Sequence, residues 1–316
     1  MKVYLNKAFL VNFFSMESED DVYRDIERFL IRIKSSAELI LNFDFFEACQ
    51  DPSNGVIFRR IAGKILAQKT RSQNFNFLEE CQAASFHNHT KQHIFFLDEV
   101  PELSIEQNFG CFVVDTTNIR RAEVLFQVKE IRVNQKYRNW NFLSLIKHPC
   151  NALIITDNYI FFNDRSHENM ISILKNIMPN TLKENFEFHL TIIGAHQDPE
   201  QRYQVEKEKD RLQKFLSEEF KYSINLTIIQ KYHHDRYIFT NYYKITSPRG
   251  YSLFRNNRIS ENLETTLDCK SIAYFSGDYS AETVMLEELV KCRTLKNDSN
   301  LLTSDYAGNK INRLLT

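Results

Sequence analysis

The chain has 316 residues, enough for two domains that each bury a core. Its hydrophobic content of 43% and charged content of 26% are ordinary for a globular protein, and 40 basic against 41 acidic residues leave a formal net charge of -1. That balance excludes recruitment of nucleic acid or anionic lipid by a global positive field, so such binding needs a local patch. The longest apolar runs are also too short for a spanning helix.

The opening Met1-Lys2-Val3-Tyr4-Leu5 reads as a first strand rather than a signal peptide, within an apolar, β-rich stretch from Val3 to Phe14. From Asp20 to Ser35, Val22, Ile26, Phe29, Leu30 and Ile33 fall at amphipathic-helix spacing. Glu17, Glu19, Asp20 and Asp21 sit where a helix dipole favours them. Ser36 to Phe46 fits a strand or a buried helix, and Ile57 to Gln68 a helix. Leu78 to Thr90 reads as a polar connection. His93 to Leu97 and Gly110 to Asp115 are short apolar runs bounded by turn residues, hence buried strands. Arg121 to Lys129 mixes both periods.

The polar, aromatic stretch Asn134 to Asn141 marks a domain boundary. Beyond it the pattern is strand (Ala152 to Ile160), helix (Glu168 to Ile177), strand (Glu187 to Gly194) and helix (Pro199 to Phe220). Three strands follow: Ser223 to Gln230, Tyr237 to Thr240 and Ile245 to Ser247. The second helix carries alternating charges with Val205, Leu212, Phe215 and Leu216 on one side, the pattern of a helix lying on a sheet. The tail from Lys291 is polar and reads as partly mobile.

Chemistry concentrates in Tyr232-His233-His234-Asp235-Arg236-Tyr237-Ile238-Phe239-Thr240-Asn241, followed by Arg249-Gly250-Tyr251-Ser252. Read as a strand, this stretch points His234 and Arg236 to one face and Asp235 to the other. Imidazole beside guanidinium is an anion receptor, because arginine offers a fixed fork of donors that matches phosphate oxygens. Asn241, Arg249, Gly250 and Ser252 extend this to a candidate phosphate pocket. Asp157 and Tyr159 join it from the end of an earlier strand, where open α/β sheets place ligands.

Three landmarks recur in order: Ile155-Thr156-Asp157-Asn158-Tyr159-Ile160 with Glu168-Asn169, Phe188-His189-Leu190-Thr191-Ile192-Ile193, and His234-Asp235-Arg236 with Asn241 and Arg249-Gly250. On them, the segment Ala152 to Phe254 resembles the phospholipase D-like domain found at the C-terminus of MIT-domain proteins and in prokaryotic proteins lacking the MIT part. The strand and helix patterning reads as an α/β chain of two domains, residues 1–138 an N-terminal α/β domain and residues 139–290 the second, with residues 291–316 a polar tail. The resemblance makes the second domain a phospholipase D-like mixed sheet flanked by helices. It implies phosphodiester recognition, with nucleic acid as the ligand and a role as effector or accessory subunit of a bacterial antiviral defence system. A catalytic phospholipase D motif has His-x-Lys and then aspartate. Here Arg236 and Asn241 replace the lysine and aspartate, and the MIT-type relatives share that loss. If the site cleaves, the nuclease acts through His234, Arg236 and Asn241 without metal, two chains completing one site as a homodimer. The alternative is a non-catalytic adaptor that binds anionic phospholipid at a membrane surface, or a partner subunit, through the same pocket.

Other constellations compete. Val3-Tyr4-Leu5-Asn6 resembles the first strand of a PIN-type nuclease, with Asn6 where that strand ends in aspartate. Asp44, Glu47, Asp98, Glu99 and Asp115 lie at or near element ends, and converging carboxylates hold Mg or Mn for phosphoryl transfer. Cys81, His87, His89 and His93 have metal-ligand residue types, but their segment reads as a loop with solvated histidines. Tyr251, Arg255 and Arg258, and separately Lys136, Tyr137, Arg138 and Trp140, interleave basic and aromatic residues as a nucleic-acid surface does. The six cysteines (Cys49, Cys81, Cys111, Cys150, Cys269, Cys292) lack any Cys-x-x-Cys pair. This predicts reduced thiols, no metal framework and a cytoplasmic location.

Overall fold

The computed structural model describes residues 1–16, 20–32, 38–65, 70–72, 77, 81, 92–99, 102–126, 128–161, 163–194, 199–259, 261–271, 275–276, 279–296, 301–303 and 312–315. The chain forms two compact units, Met1–Phe126 and Gln127–Thr316.

In the first unit β1 (Lys2–Leu5) ends at Asn6, whose side chain accepts the Phe9 N–H and caps α1 (Lys7–Ser15). The expected first strand is thus present, and the apolar, β-rich stretch to Phe14 turns helical after Leu5. Next come α2 (Asp21–Arg32), β2 (Glu38–Leu41), α3 (Phe45–Gln50), α4 (Gly55–Ile65) and β3 (Thr70–Ser72). They are followed by β4 (His93–Phe96), α5 (Glu102–Phe109), β5 (Phe112–Val114) and α6 (Glu123–Phe126). Strands β2, β1, β4 and β5 make a four-stranded parallel sheet, which the short β3 extends beside β2. Helices connect the parallel strands and cover the sheet, so its strands are almost continuously apolar. Val3, Tyr4 and Leu5 are buried, as are all four residues of β4. The expected connection Leu78 to Thr90 lies almost wholly outside the described residues.

The second unit opens with β6 (Val128–Val133), ahead of the boundary expected at Asn134–Asn141. β6 pairs with a strand more than a hundred residues later, which local pattern does not reveal. The 3-10 helix Trp140–Ile146 leads into β7 (Ala152–Thr156), α7 (Asp164–Ile177), β8 (Phe188–Gly194), α8 (Pro199–Glu219) and β9 (Ile224–Gln230). Then come β10 (Tyr237–Thr240), β11 (Tyr243–Thr246), the hairpin β12 (Phe254–Arg255) and β13 (Arg258–Ile259), and β14 (Thr265–Ser271). The pair β15 (Phe275–Ser276) and β16 (Tyr279–Ser280), α9 (Ala281–Lys296) and β17 (Leu301–Thr303) follow.

The order β9-β8-β7-β10-β11-β14-β6 gives a seven-stranded mixed sheet, with β17 added along β9. β7, β8 and β9 are parallel, and β10 returns antiparallel to β7. Helix α7 buries Ser166, Asn169, Met170, Ile173, Leu174 and Ile177, one face at helical spacing.

The C-terminal segment departs from a mobile polar tail. Lys291 lies inside α9, and Asn312, Arg313, Leu314 and Leu315 are buried. Asn312 Nδ2 donates to Leu153 O, His189 O and Thr191 Oγ1 at 3.0, 3.2 and 3.1 Å. The Arg313 guanidinium lies over the Phe186 ring at 4.7 Å.

Candidate functional site

The strand order of the second sheet dictates where a site forms. β9 is followed in sequence by β10, but β10 pairs with β7, two strands away. The connection 231–236 therefore crosses the carboxyl ends of β8 and β7. Lys231 N–H donates to Gly194 O at 3.1 Å, at the end of β8. Above β7, Asn158 Nδ2 donates to His233 O and Asn158 Oδ1 accepts from His233 N–H, both at 2.8 Å. Thr156 Oγ1 donates to Asp235 O at 2.9 Å and accepts the Tyr237 N–H at 2.8 Å. This strap closes the switch point of the sheet, where open α/β folds place ligands.

His234 and Arg236 thus lie in the strap, not in a strand. His234 is 86% exposed, with Nδ1 3.4 Å from Asp235 Oδ1. His233 faces inward at 8% exposure, its Nδ1 2.8 Å from Asp235 O. Two outward aromatic rings complete the surface: Tyr232 is 58% and Tyr159 54% exposed. That the loops carrying Tyr159 and Tyr232 are neighbours is not readable from the motif, because only the crossing brings them together.

Arg236 is held from three sides. Its Nη1 donates to Pro248 O at 2.6 Å, its Nε is 3.8 Å from Asp157 Oδ1, and its guanidinium lies 5.9 Å from the Tyr159 ring centre. Asp157 is buried and works as a clasp. Oδ1 accepts the Tyr159 N–H at 3.0 Å, and Oδ2 accepts the Tyr251 N–H at 2.7 Å. Burial pushes the Asp157 carboxyl above its ordinary range, while the two N–H groups and Arg236 pull the other way. Gly250, at φ 77°, is required here, since a Cβ would stand 2.6 Å from Asp157 Oδ2.

The remaining expected residues scatter. Asn241 is fully buried at the far end of β10, where Oδ1 accepts the Asn151 and Ala152 N–H groups at 2.9 and 3.0 Å and Nδ2 donates to Asn151 Oδ1 at 2.8 Å. It belongs to the opposite end of the strands, where β7 begins. Tyr251 is 1% exposed and donates its hydroxyl to Ile245 O, so it stacks on no ligand. Trp140 is likewise buried, with Nε1 donating to Asn169 Oδ1 at 2.7 Å.

A second group of cations extends from the strap. Ser166 Oγ donates to Tyr159 O at 2.8 Å, and Ser252 Oγ donates to Ser166 Oγ at 2.9 Å. Beside them Arg165 Nη2 donates to Leu253 O at 2.9 Å, while its buried Nε has no hydrogen-bond partner. Burial, and then the like charge of Arg255, lowers the Arg165 pKa. Arg255 and Arg258 are exposed on the β12–β13 hairpin, whose turn residues Asn256 and Asn257 have φ of 50° and 56°. Asn169 anchors that hairpin, accepting the Phe254 N–H at 3.0 Å and donating to Phe254 O at 2.7 Å. Arg249 is exposed beside the strap.

In the first unit the carboxylates serve the fold. Asp44 caps α3 by accepting the Phe46 and Glu47 N–H groups. Asp98 accepts from Asn12 Nδ2 at 2.7 Å and from the Thr116 N–H at 2.8 Å. Asp115 accepts the Asn118 N–H at 2.7 Å, while Glu47 and Glu99 are exposed. Among the described residues, no three His, Cys, Asp or Glu side chains gather as a metal site. His93 is buried in β4, and His87 and His89 lie outside the described residues. All six cysteines are free thiols. No described helix is long and apolar enough to cross a membrane.

No family model matches the chain, and no curated protein matches it.

Proposed function

We propose that the second unit binds nucleic acid through its phosphodiester backbone, at the strap and the neighbouring arginine hairpin. The observation that carries this reading is the cluster of Arg165, Arg255 and Arg258, with Arg249 and Arg236 nearby. Burial and then the like charge of Arg255 disfavour the charge on Arg165, and among the described residues no acidic side chain pairs with Arg165, Arg249, Arg255 or Arg258. A fold that holds like charges together without a counter-charge gains when an external anion arrives. The phospholipase D-like landmarks support the same ligand class. The geometry supports binding over cleavage: His234 lies beside Asp235 at the surface, and its neighbour His233 is turned inward and bonded to the backbone. A role in bacterial defence rests on the sequence resemblance alone.

The test is binding of labelled 30-nucleotide DNA and RNA by the purified chain at two salt concentrations, beside Arg255→Glu with Arg258→Glu. The expected result is at least a tenfold loss, with a salt slope shallower by about 2. Equal binding in the double variant refutes the reading. Cleavage of the same strands would restore a catalytic role. Pelleting with anionic vesicles but no nucleic-acid binding would favour the lipid-binding adaptor.

A further inference from the structure

We infer that the strap takes its nucleic acid single-stranded, with unpaired bases stacked on Tyr159 and Tyr232. This rests on the nucleic-acid reading above and specifies its ligand.

Outward tyrosines are the exception in this unit. Every other aromatic side chain described there is buried or half-buried, including Tyr237, Tyr242, Tyr243 and Tyr251. The two outward rings are adjacent to a single fastening. Tyr159 follows Asn158 and Tyr232 precedes His233, and Asn158 binds both backbone groups of His233. The loops that carry the rings are thus pinned to each other, with the Tyr159 N–H also held by Asp157. A ring on a pinned backbone loses little freedom when it stacks.

A guanidinium and an imidazole border the rings. Arg236 approaches Tyr159, and exposed His234 lies two residues from Tyr232 on the outer side of the strap. The Ser166–Ser252 contact then leads from the Tyr159 carbonyl to Arg165 and the hairpin. Aromatic faces that take bases, beside cations that take phosphates, suit a single strand, whose bases are free to splay. In a duplex the bases are paired and stacked internally. The same surface then offers only its charges.

The experiment compares a labelled 30-nucleotide single strand with a blunt duplex of the same sequence, using the full chain, Tyr159→Ala with Tyr232→Ala, and the corresponding pair of phenylalanine substitutions. The wild-type chain is expected to bind the single strand at least tenfold more tightly than the duplex. The alanine pair is expected to lose roughly tenfold or more on the single strand and nothing on the duplex, while the phenylalanine pair keeps the preference. Both rings are exposed, and thermal unfolding of each variant checks that the fold is kept. Equal wild-type affinity for the two forms overturns the inference, as does an alanine pair that loses nothing or loses equally on both. In those cases nucleic-acid binding itself stands. If the wild-type chain binds neither form, the nucleic-acid reading falls and the inference falls with it.

Discussion

Arg236 and Asn241 stand at opposite ends of β10. Arg236 precedes the strand beside the carboxyl end of β7, and Asn241 follows it beside Asn151, where β7 begins. Five residues of extended chain separate them by about 16 Å. A phosphate held by one is therefore out of reach of the other.

Restoring the aspartate of a catalytic phospholipase D motif accordingly brings no activity. Asn241→Asp would exchange the Nδ2 donor for a carboxylate oxygen facing Asn151 Oδ1 in a fully buried site. The expected outcome is a loss of about 3 kcal/mol in stability and no gain in phosphodiester cleavage. Urea unfolding and a cleavage assay measure both. Cleavage by this variant would show that the strap rearranges to bring the two residues together.

The separation of His234 and Arg236 from Asn241 has a physical cause. The alternation through Tyr232 to Thr240 is compatible with one long strand, and the start of β10 at Tyr237 was legible. That the preceding residues must cross two strand ends was not, because β10's pairing with β7 rather than β9 is a long-range choice. The apolar runs of β4, β5, β7, β8 and β9 were legible because buried parallel strands need little else. The asparagines were opaque for the opposite reason. Asn6 accepts the Asp98 N–H at 3.2 Å and donates to Asp98 O at 2.6 Å, as Asn158 does with His233 and Asn169 with Phe254. Each amide mimics a strand neighbour for one distant residue, and an asparagine looks the same in sequence whether or not it does this.

Two glycines separate tight packing of side chain from tight packing of backbone. At Gly250 a Cβ meets the Asp157 carboxylate and the Arg236 side chain at 2.6 and 3.1 Å, groups that can shift. At Gly194, with φ of 154°, a Cβ would run into the Asp157 carbonyl, which is fixed by the end of β7. Both alanine variants are expected to destabilise, Gly250→Ala by about 2 kcal/mol and Gly194→Ala by more, enough to prevent folding. Thermal melts rank them. Gly250→Ala should also weaken nucleic-acid binding, because it displaces Arg236.

His148 gives the stability of the second unit a pH dependence. It is buried, stacked 4.8 Å from Tyr243. Its Nδ1–H donates to Ile146 O at 2.7 Å, and Nε2 accepts from Thr240 Oγ1 at 2.6 Å. Thr240 Oγ1 in turn accepts the Tyr242 and Tyr243 N–H groups, so the neutral imidazole is the form that fits. Burial pushes the His148 pKa down to about 4 from an ordinary 6.5. Between those values the unfolded chain binds a proton that the folded chain does not. Stability contributed by this residue is present above pH 6.5 and lost as pH falls towards 4. From pH 7 to pH 5 the loss is about 2 kcal/mol. Denaturant unfolding at the two values should show a correspondingly smaller drop in His148→Phe. An identical drop would assign the pH dependence to other groups.

Asn158→Ala tests the strap without removing any group that meets the ligand. It deletes both bonds to His233 while leaving Tyr159, Tyr232, Arg236 and the arginine hairpin in place. The global cost is expected to be only about 1–2 kcal/mol, since Thr156 still holds Asp235 and Tyr237. Locally the effect is larger: amide exchange at His233 to Asp235 should accelerate at least tenfold, with the core of β7 and β8 unchanged. If pinned rings are what a single strand needs, its affinity falls several-fold while duplex binding, which uses charge alone, is retained. Faster exchange with undiminished single-strand affinity would mean that the tyrosines need no fastening, and that exposed rings and nearby cations suffice.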